Sequence, residues 1–475
     1  MTWSFLTAPY QRKLMVLLGM ATLTISACSS SQFSDLFTSY SHQLSAVRNA
    51  QLTGDLARAN DLLPDASTRS TNYALLMLER GRLQFLMANW QQSRADFTRV
   101  TTLLDEQQAT AKLRLSRGLA NASSLLSNDN VRAYDIPAYE QTMLYSYQAL
   151  NYLFTGDPQG ALVEVRRANQ VQEQALADNQ QAILDAHNEV AQGELNQTYP
   201  SMQALIGEVK FGFQNAYTCY LSGVLYEAQG QANDAYIDYK RALEIYPDNP
   251  YIQQSVLKLA SQLHMQDDLE SYSAMYGNYL APQGSAGELV VILEQGLIAP
   301  KQEIAIDVPV FSESHGQSRF FSIAVPVYQG ELQQYPAYQL ESEQHKLAFA
   351  QVTQLQSLAS RTLSEQIPGM VSRQILRLVS KEKLRSTLSK EGGELGNILA
   401  TIYNIASEHA DTRSWLTLPA QMSIARIGLP DGQHTIHLNQ GQQSRALQLS
   451  VQSKRITLLY ISQSGDFFSH NLAQL

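Results

Sequence analysis

Cysteine is nearly absent: the 475-residue chain has two, Cys28 and Cys219. That excludes a disulfide framework and any cysteine-rich metal site. Charge is also scarce, at 16% of residues, and its balance is acidic, with 34 Lys and Arg against 43 Asp and Glu for a net charge of −9. A nucleic-acid binder would show a basic footprint, so that class is excluded. Beyond the N-terminal region no apolar run approaches the roughly 18 residues of a membrane-spanning helix. Catalytic signatures are missing as well: there is no His-Glu-x-x-His, no Gly-x4-Gly-Lys-Ser/Thr and no Gly-x-Ser-x-Gly. Ser380-Lys381-Glu382-Lys383 matches a bare Ser-x-x-Lys, but the companion Ser-Asp-Asn and Lys-Thr-Gly are absent. His434 and His437 are three apart on an expected strand and point to opposite faces, which makes them poor co-ligands. The chain is therefore expected to be non-enzymatic, with no catalytic, cofactor-binding or metal-binding residues and no cofactor.

What the chain does carry begins near its N-terminus. Arg12 and Lys13 precede a mostly apolar run from Leu14 to Ile25, too short to span a bilayer, and Ile25-Ser26-Ala27-Cys28 follows. This stretch resembles the lipobox of bacterial lipoproteins. The resemblance implies that 1–27 is a signal peptide and that Cys28 is diacylated on sulfur, becomes the mature N-terminus and is then N-acylated. Several acyl chains at ~0.8 kcal/mol per buried CH2 give a stable anchor. Ser29, where an Asp would imply inner-membrane retention, favours the outer membrane, with the body in the periplasm. Cys219 lies in an apolar helical pattern, where an inert buried thiol is expected.

From Phe33 to about Leu280, apolar residues recur at i, i+3 and i+4, separated by short Gly, Asp and Asn turns. Residues 216–249 hold Gly223, Tyr226, Ala235, Tyr239, Ala242 and Pro247. This spacing resembles the tetratricopeptide repeat, a helix–turn–helix unit of about 34 residues. Small residues at Gly223 and Ala235 would let two antiparallel helices approach. Tyr226, Tyr239 and Ala242 would fill the seam, and Pro247 would end the second helix. A second copy at 142–175 has Tyr145, Ala149, Tyr152, Ala161, Val165 and Ala168, with a turn at Gly156-Asp157-Pro158. Weaker windows lie at 74–107 (Gly81, Ser93, Phe97) and 40–73 (Ala50, Ala59, Leu63), and a modified hairpin is expected at 108–141. The register slips between 176 and 215, where Val163 to Leu195 reads as one long helix. Such units stack into a superhelix whose concave face typically binds peptides or partner proteins. Arg166 and Arg167 read first as solvated charges.

Near Ala281-Pro282-Gln283-Gly284 the period changes to strand-like. Strands are expected at 288–294, 303–308, 319–327, 422–427, 434–438, 445–451 and 455–461, with Pro430-Asp431-Gly432 as a hairpin turn. Helical sequence occupies about 347–410. Residues 361–390 are basic, with Arg373, Arg377, Lys381 and Arg385 on one i, i+4 stripe, a solvated face before it is a contact for anionic headgroups. The expected fold is multi-domain: an all-α helical-hairpin solenoid of tetratricopeptide type over 28–280, then an α+β part over 285–475 with a β-sandwich-like sheet assembly and a helical insertion.

The segments 149–152 and 164–167, with Asp411-Thr412-Arg413-Ser414-Trp415, resemble a bacterial family of lipoproteins with tetratricopeptide-like repeats and a β-rich C-terminal part. The family has no established biochemical activity. Arg413 and Trp415 are expected to fix the helix-to-strand corner by a cation–π contact. The functional expectation is a non-enzymatic scaffold or adaptor, lipid-anchored in the outer membrane, that binds envelope proteins through its repeats. Regulation or assembly of cell-wall, secretion or outer-membrane machinery is the nearest variant. The alternative is a protein that binds peptidoglycan or another glycan, or hydrolyses it, through the β-rich part. No nucleic-acid partner is expected.

Overall fold

The computed structural model describes residues 39–116, 132–186, 199–279, 286–311, 318–342, 345–377 and 409–475, together with 281 and 284. Cys28 and the 1–27 segment lie outside the described residues, as do Lys381, Arg385, Ser380 to Lys383 and the stretch 392–405.

The first half is a run of helices: α1 (Tyr40–Gln43), α2 (Ser45–Leu52), α3 (Leu56–Asp61), α4 (Tyr73–Leu86), α5 (Trp90–Ser116), α6 (Ala138–Phe154), α7 (Pro158–Ala186), α8 (Gln203–Ile206), α9 (Ala216–Ala228), α10 (Ala232–Ile245), α11 (Pro250–Gln262) and α12 (Gln266–Tyr276). The backbone repeats as well as the sequence. The turns joining α2–α3, α4–α5, α6–α7, α9–α10 and α11–α12 each contain one left-handed residue: Gly54 (φ 83°), Ala88 (59°), Gly156 (80°), Gly230 (73°) and His264 (57°). Position 88 is 34 beyond 54, and 264 is 34 beyond 230. This is the period of a tetratricopeptide-like array.

Two glycines lie at close helix contacts. A Cβ on Gly223 would stand 2.5 Å from the Tyr239 ring, and one on Gly81 would stand 2.6 Å from the Phe97 ring, the same pairing in two hairpins. Asn249 caps α11 by accepting from the Tyr251 and Ile252 amides. Of the modified hairpin expected at 108–141, the first residues continue α5 to Ser116, and 117–131 lie outside the described residues. The long helix expected over 163–195 is α7, which is described as far as Ala186.

The second half is strand-rich: β1 (Gly287–Gln295), β2 (Gln302–Phe311), β3 (Ser318–Val327), β4 (Gln339–Glu341), β5 (Lys346–Ala348), β6 (Ala350–Gln354), β7 (Gln421–Leu429), β8 (Gly432–Gln440), β9 (Gln443–Val451), β10 (Ile456–Ser464) and β11 (Phe467–Gln474). A five-stranded sheet has the order β11-β10-β1-β7-β6, a four-stranded sheet the order β5-β4-β8-β9, and β2 pairs with β3 alone. In the five-stranded sheet only β1–β10 is parallel. The helical stretch α13 (355–377 among the described residues) begins later than expected, because 350–354 are drawn into the sheet beside β7. Arg377 on α13 is only 7% exposed, which removes it from a solvent-facing basic stripe.

Pro430-Asp431-Gly432 is not a hairpin turn. β7 lies in one sheet and β8 in the other, so the chain changes layer there. The hairpins instead turn at Gly441 (φ 58°) and Gly465 (φ 56°), where two-residue loops need a left-handed residue.

The layers explain the composition of β1. Leu289, Val291 and Leu293 face the four-stranded sheet and pack with Ile436, Leu438, Leu447 and Leu449. Val290 and Ile292 face the other way and share one buried cluster with Leu75, Tyr217 and Val256 of the helices. The order is thus helices, five-stranded sheet, four-stranded sheet.

Ala88 and His264 occupy a backbone region that costs a side chain ~1 kcal/mol or more. Ala88→Gly and His264→Gly should each raise stability by ~0.5 kcal/mol, less than that full strain because glycine loosens the unfolded chain. Gly223→Ala should instead cost ~1–3 kcal/mol by overpacking against Tyr239. Urea unfolding of the three variants checks both signs.

Candidate functional site: a helical groove filled by the chain's own strands

The first helix of each hairpin lines the inner face of the array, where a partner peptide was expected. The five-stranded sheet and the segment 410–420 occupy that face. Side chains alternate along a strand, so Glu288, Val290, Ile292 and Glu294 of β1 all point toward the helices. The two glutamates are six residues apart, about 20 Å at strand rise. They reach opposite parts of the array.

At one end, Arg426 of β7 is buried between α9, α11 and β1. Its Nε donates to Glu288 Oε2 (2.6 Å), and its Nη2 donates to Glu227 Oε1 and Oε2 (2.8 and 2.9 Å). Nη1 donates to the Tyr239 hydroxyl (3.0 Å) and Ser255 Oγ (3.2 Å). Lys258 Nζ donates to Glu227 Oε1 at 2.7 Å and also to Glu288. Two carboxylates meet two cations. Burial alone would raise the Glu227 carboxyl, but Arg426 and Lys258 hold it down to about 2. At the other end, Glu294 accepts from Arg82 of α4, from the Tyr147 hydroxyl of α6 (3.1 Å) and from the Tyr460 hydroxyl of β10 (2.6 Å). The Arg82 guanidinium also stands 4.4 Å from the Tyr147 ring centroid.

Along α2, α4 and α6 the segment 410–420 is held largely through its backbone. Glu79 of α4 accepts the Leu416 amide (2.7 Å) and the Thr417 amide (3.0 Å), and Glu140 of α6 accepts the Trp415 amide (3.0 Å). Arg48 of α2 donates to the carbonyls of Leu416 (2.6 Å) and Ile298 (2.8 Å). Tyr134 and Tyr139 donate to Glu140, both at 2.9 Å. Among the described residues no cation is hydrogen-bonded to Glu79 or Glu140, and burial raises both carboxyls. Glu79 reaches about 7 against the lowering effect of its Thr417 and Leu416 hydrogen bonds.

Trp415 is fully buried, with its ring near Phe97 and Tyr147, and its Nε1 donates to Thr417 Oγ1 (3.0 Å). The expected Arg413–Trp415 cation–π contact is replaced by another. Arg413 pairs with Asp411 (2.7 Å), donates to Asn72 and the Arg132 carbonyl, and faces the Tyr134 ring. The guanidinium turns to the Tyr134 ring and to its acid, while the indole goes to the core.

The residues singled out for repeat packing are placed as follows. Ala235, Tyr239, Ala242, Ala161 and Ala168 are buried, and Gly223 lies against Tyr239. Tyr239 has a second role, donating its hydroxyl to Glu227 (2.6 Å) while accepting from Arg426. Tyr226 accepts from Arg166 of α7 (3.1 Å) and so joins neighbouring hairpins. Tyr152 packs its ring beneath the Arg94 guanidinium, 4.3 Å from centroid to cation. Pro247 follows the end of α10. Arg167 stands over the Tyr145 ring. Burial pushes the Cys219 thiol up to about 12, as for an inert core residue. Glu79, Arg82, Glu140, Glu227, Glu288, Glu294 and Arg426 were not singled out from sequence. The only available signal was a charge placed on an otherwise apolar helix or strand face. An open cleft of about 670 Å³ is lined by Arg94, Thr98, Thr155 and Asp157 among others, and none of the groove's carboxylates lines it.

No family model and no curated protein matches the chain. Among solved structures, a tetratricopeptide repeat protein from Parabacteroides merdae is similar at 13% identity, covering 50% of this chain and 65% of the other with a TM-score of 0.28. MamA is similar at 13% identity over 48% of this chain and 89% of the other, TM-score 0.27. A complex of the TPR2AB domain of yeast Sti1 with pHSP90 is similar at 9% identity over 49% and 90%, TM-score 0.19. Likenesses this low carry no weight by themselves; the repeat character rests on the recurrent turns and Gly–aromatic contacts.

Glu79 binds its proton more tightly in the folded state than in the unfolded chain, so its contribution is full below about pH 4.5 and is lost as pH rises through about 7. The loss should be on the order of 3 kcal/mol. Glu227 acts oppositely: its contribution is present above about pH 4.5 and lost as pH falls through about 2. Stability should therefore peak in mild acid, and Glu79→Gln should flatten the decline between about pH 5 and 7.5 in denaturant titrations. Arg426→Met leaves Glu227 and Glu288 sharing Lys258 and should cost ~3–5 kcal/mol.

Proposed function

We propose that the chain is a non-enzymatic scaffold of the bacterial envelope, tethered to the outer membrane through acylated Cys28, with its body in the periplasm. The observation that carries this reading is how the groove's carboxylates are used. Glu79, Glu140, Glu227, Glu288 and Glu294 all bind the chain's own backbone, arginines, lysine or tyrosines in a filled groove. They hold a shape, and a helical array braced in this way offers a large fixed exterior for proteins to assemble on. Partner proteins then meet the outer surfaces, because the inner face is closed by the sheet. Control of cell-wall synthesis, secretion or outer-membrane assembly would be a natural use of such an object.

Gentle cross-linking followed by capture from detergent-solubilised envelopes should yield one or a few stoichiometric protein partners; recovery of none would overturn the scaffold reading. Cys28→Ala should move the protein from the membrane to the soluble periplasmic fraction. Retention of that variant on membranes in high salt would sink the anchor.

A further inference from the structure

Strand edges expose unpaired amides and carbonyls, and proteins commonly shorten, bend, charge or cover them. Three of the four edges of the two larger sheets are managed in these ways. β11 meets the helices at its Gly465 turn, where the Asp466 amide donates to the Leu52 carbonyl (2.8 Å). β6 carries a register shift, and Asn249 donates to its Ala350 and Gln351 carbonyls. β5 is three residues long.

β9 is different. It has nine residues, contains neither Lys nor Pro, and keeps unbroken register with β8 from Gly432↔Val451 to Gln440↔Gln443. The two-residue loop makes 440/443 a hydrogen-bonded pair, so odd-numbered residues of β9 bond to β8 and even-numbered ones turn N–H and C=O to the open side. Ser450 fits this alternation: its carbonyl is capped from outside the pair by Thr457 Oγ1 (3.0 Å) and Gln474 Nε2 (2.7 Å). Ser444, Ala446 and Gln448 have no such cap among the described residues, and all three are exposed.

The surrounding charge selects the occupant. Residues 432–465 contain Arg445, Lys454 and Arg455 and no Asp or Glu, in a chain of net charge −9. All three cations are exposed and none has a carboxylate partner among the described residues, Arg445 lying 4.4 Å from the Phe468 ring centroid. They bracket the open stretch, with Arg445 near its start and the other two beyond its end.

We propose that β9 is a strand-addition site that takes an extended segment of a partner protein, acidic at its ends, as a fifth strand beside Ser444–Gln448. Main-chain hydrogen bonds would supply affinity, and the basic ends would supply orientation. This rests on the scaffold reading only for the partner being a protein; it is tested on purified chain, so its failure is separate from a failed envelope capture.

The experiment uses the full chain carrying Cys28→Ala and a fluorescein-labelled peptide, Glu-Val-Thr-Val-Thr-Val-Glu, read by anisotropy. Saturable binding is expected, weakening with salt and with joint Arg445→Gln, Lys454→Gln and Arg455→Gln. Ala446→Pro removes an outward amide and no β8 bond, so it should weaken binding by about tenfold or more with little change in melting. N-methylation of alternate peptide amides guards against a misfolded variant: one alternating set should abolish binding and the other spare it. Absence of binding, or equal tolerance of both methylated sets, overturns the proposal. A concentration-dependent dimer that Ala446→Pro abolishes, with no peptide binding, also overturns it and makes a second copy the occupant.

Discussion

A carboxylate carried into a protein interior must find partners or lose its charge. The seam between this array and the sheet holds Glu79, Glu140, Glu227, Glu288 and Glu294. Each of them joins the helices to the strands or to the extended segment between them. Where an arginine or lysine arrives with the strand, as Arg426 does beside Glu227, the charge is kept. Where backbone amides and hydroxyls arrive without a hydrogen-bonded cation, as at Glu79, burial pushes the carboxyl toward its neutral form. The sheet's place in the groove follows from these meetings, since apolar contacts alone would tolerate sliding along the helices. β1 fixes the span, because its two glutamates must reach Arg82 and Lys258 together.

The hairpin array was legible because its cause is local. A small residue facing an aromatic across one hairpin, as with Gly223 and Tyr239, leaves its trace within one repeat. The turn residues follow the same phase. The strands of β1, β7 and β10 were legible from their apolar runs. β11 was not, since Phe467–Gln474 is an edge strand of mixed polarity held mainly by its partner. The corner at Pro430-Asp431-Gly432 read as a hairpin because turn chemistry does not reveal which sheet the next strand joins. Least legible was the filled groove. Glu294 reads as a strand-end polar residue, and Trp415 as part of a short motif, until residues hundreds of positions away surround them.

The filled groove also changes what a repeat array means here. In an open superhelix the inner face is the natural place for a ligand. Here an extended segment does lie there, gripped through its amides by Glu79 and Glu140, but it belongs to the same chain. The array acts as a cradle for its own C-terminal part.

The same arrangement sets an order of events in folding. Each helical hairpin closes contacts within its own repeat, and such local contacts form early. The contacts that seal the inner face span the chain: Arg82 to Glu294 is 212 residues, Glu79 to the Leu416 amide 337, and Arg413 to Asn72 341. An array formed from the first half alone would present Leu75, Tyr147 and Tyr217 to water, beside carboxylates and an arginine awaiting their partners. The half-made molecule is thus sticky along its whole inner surface until the strands arrive, and a chain delivered in an extended state must complete that closure before its exposed groove captures something else.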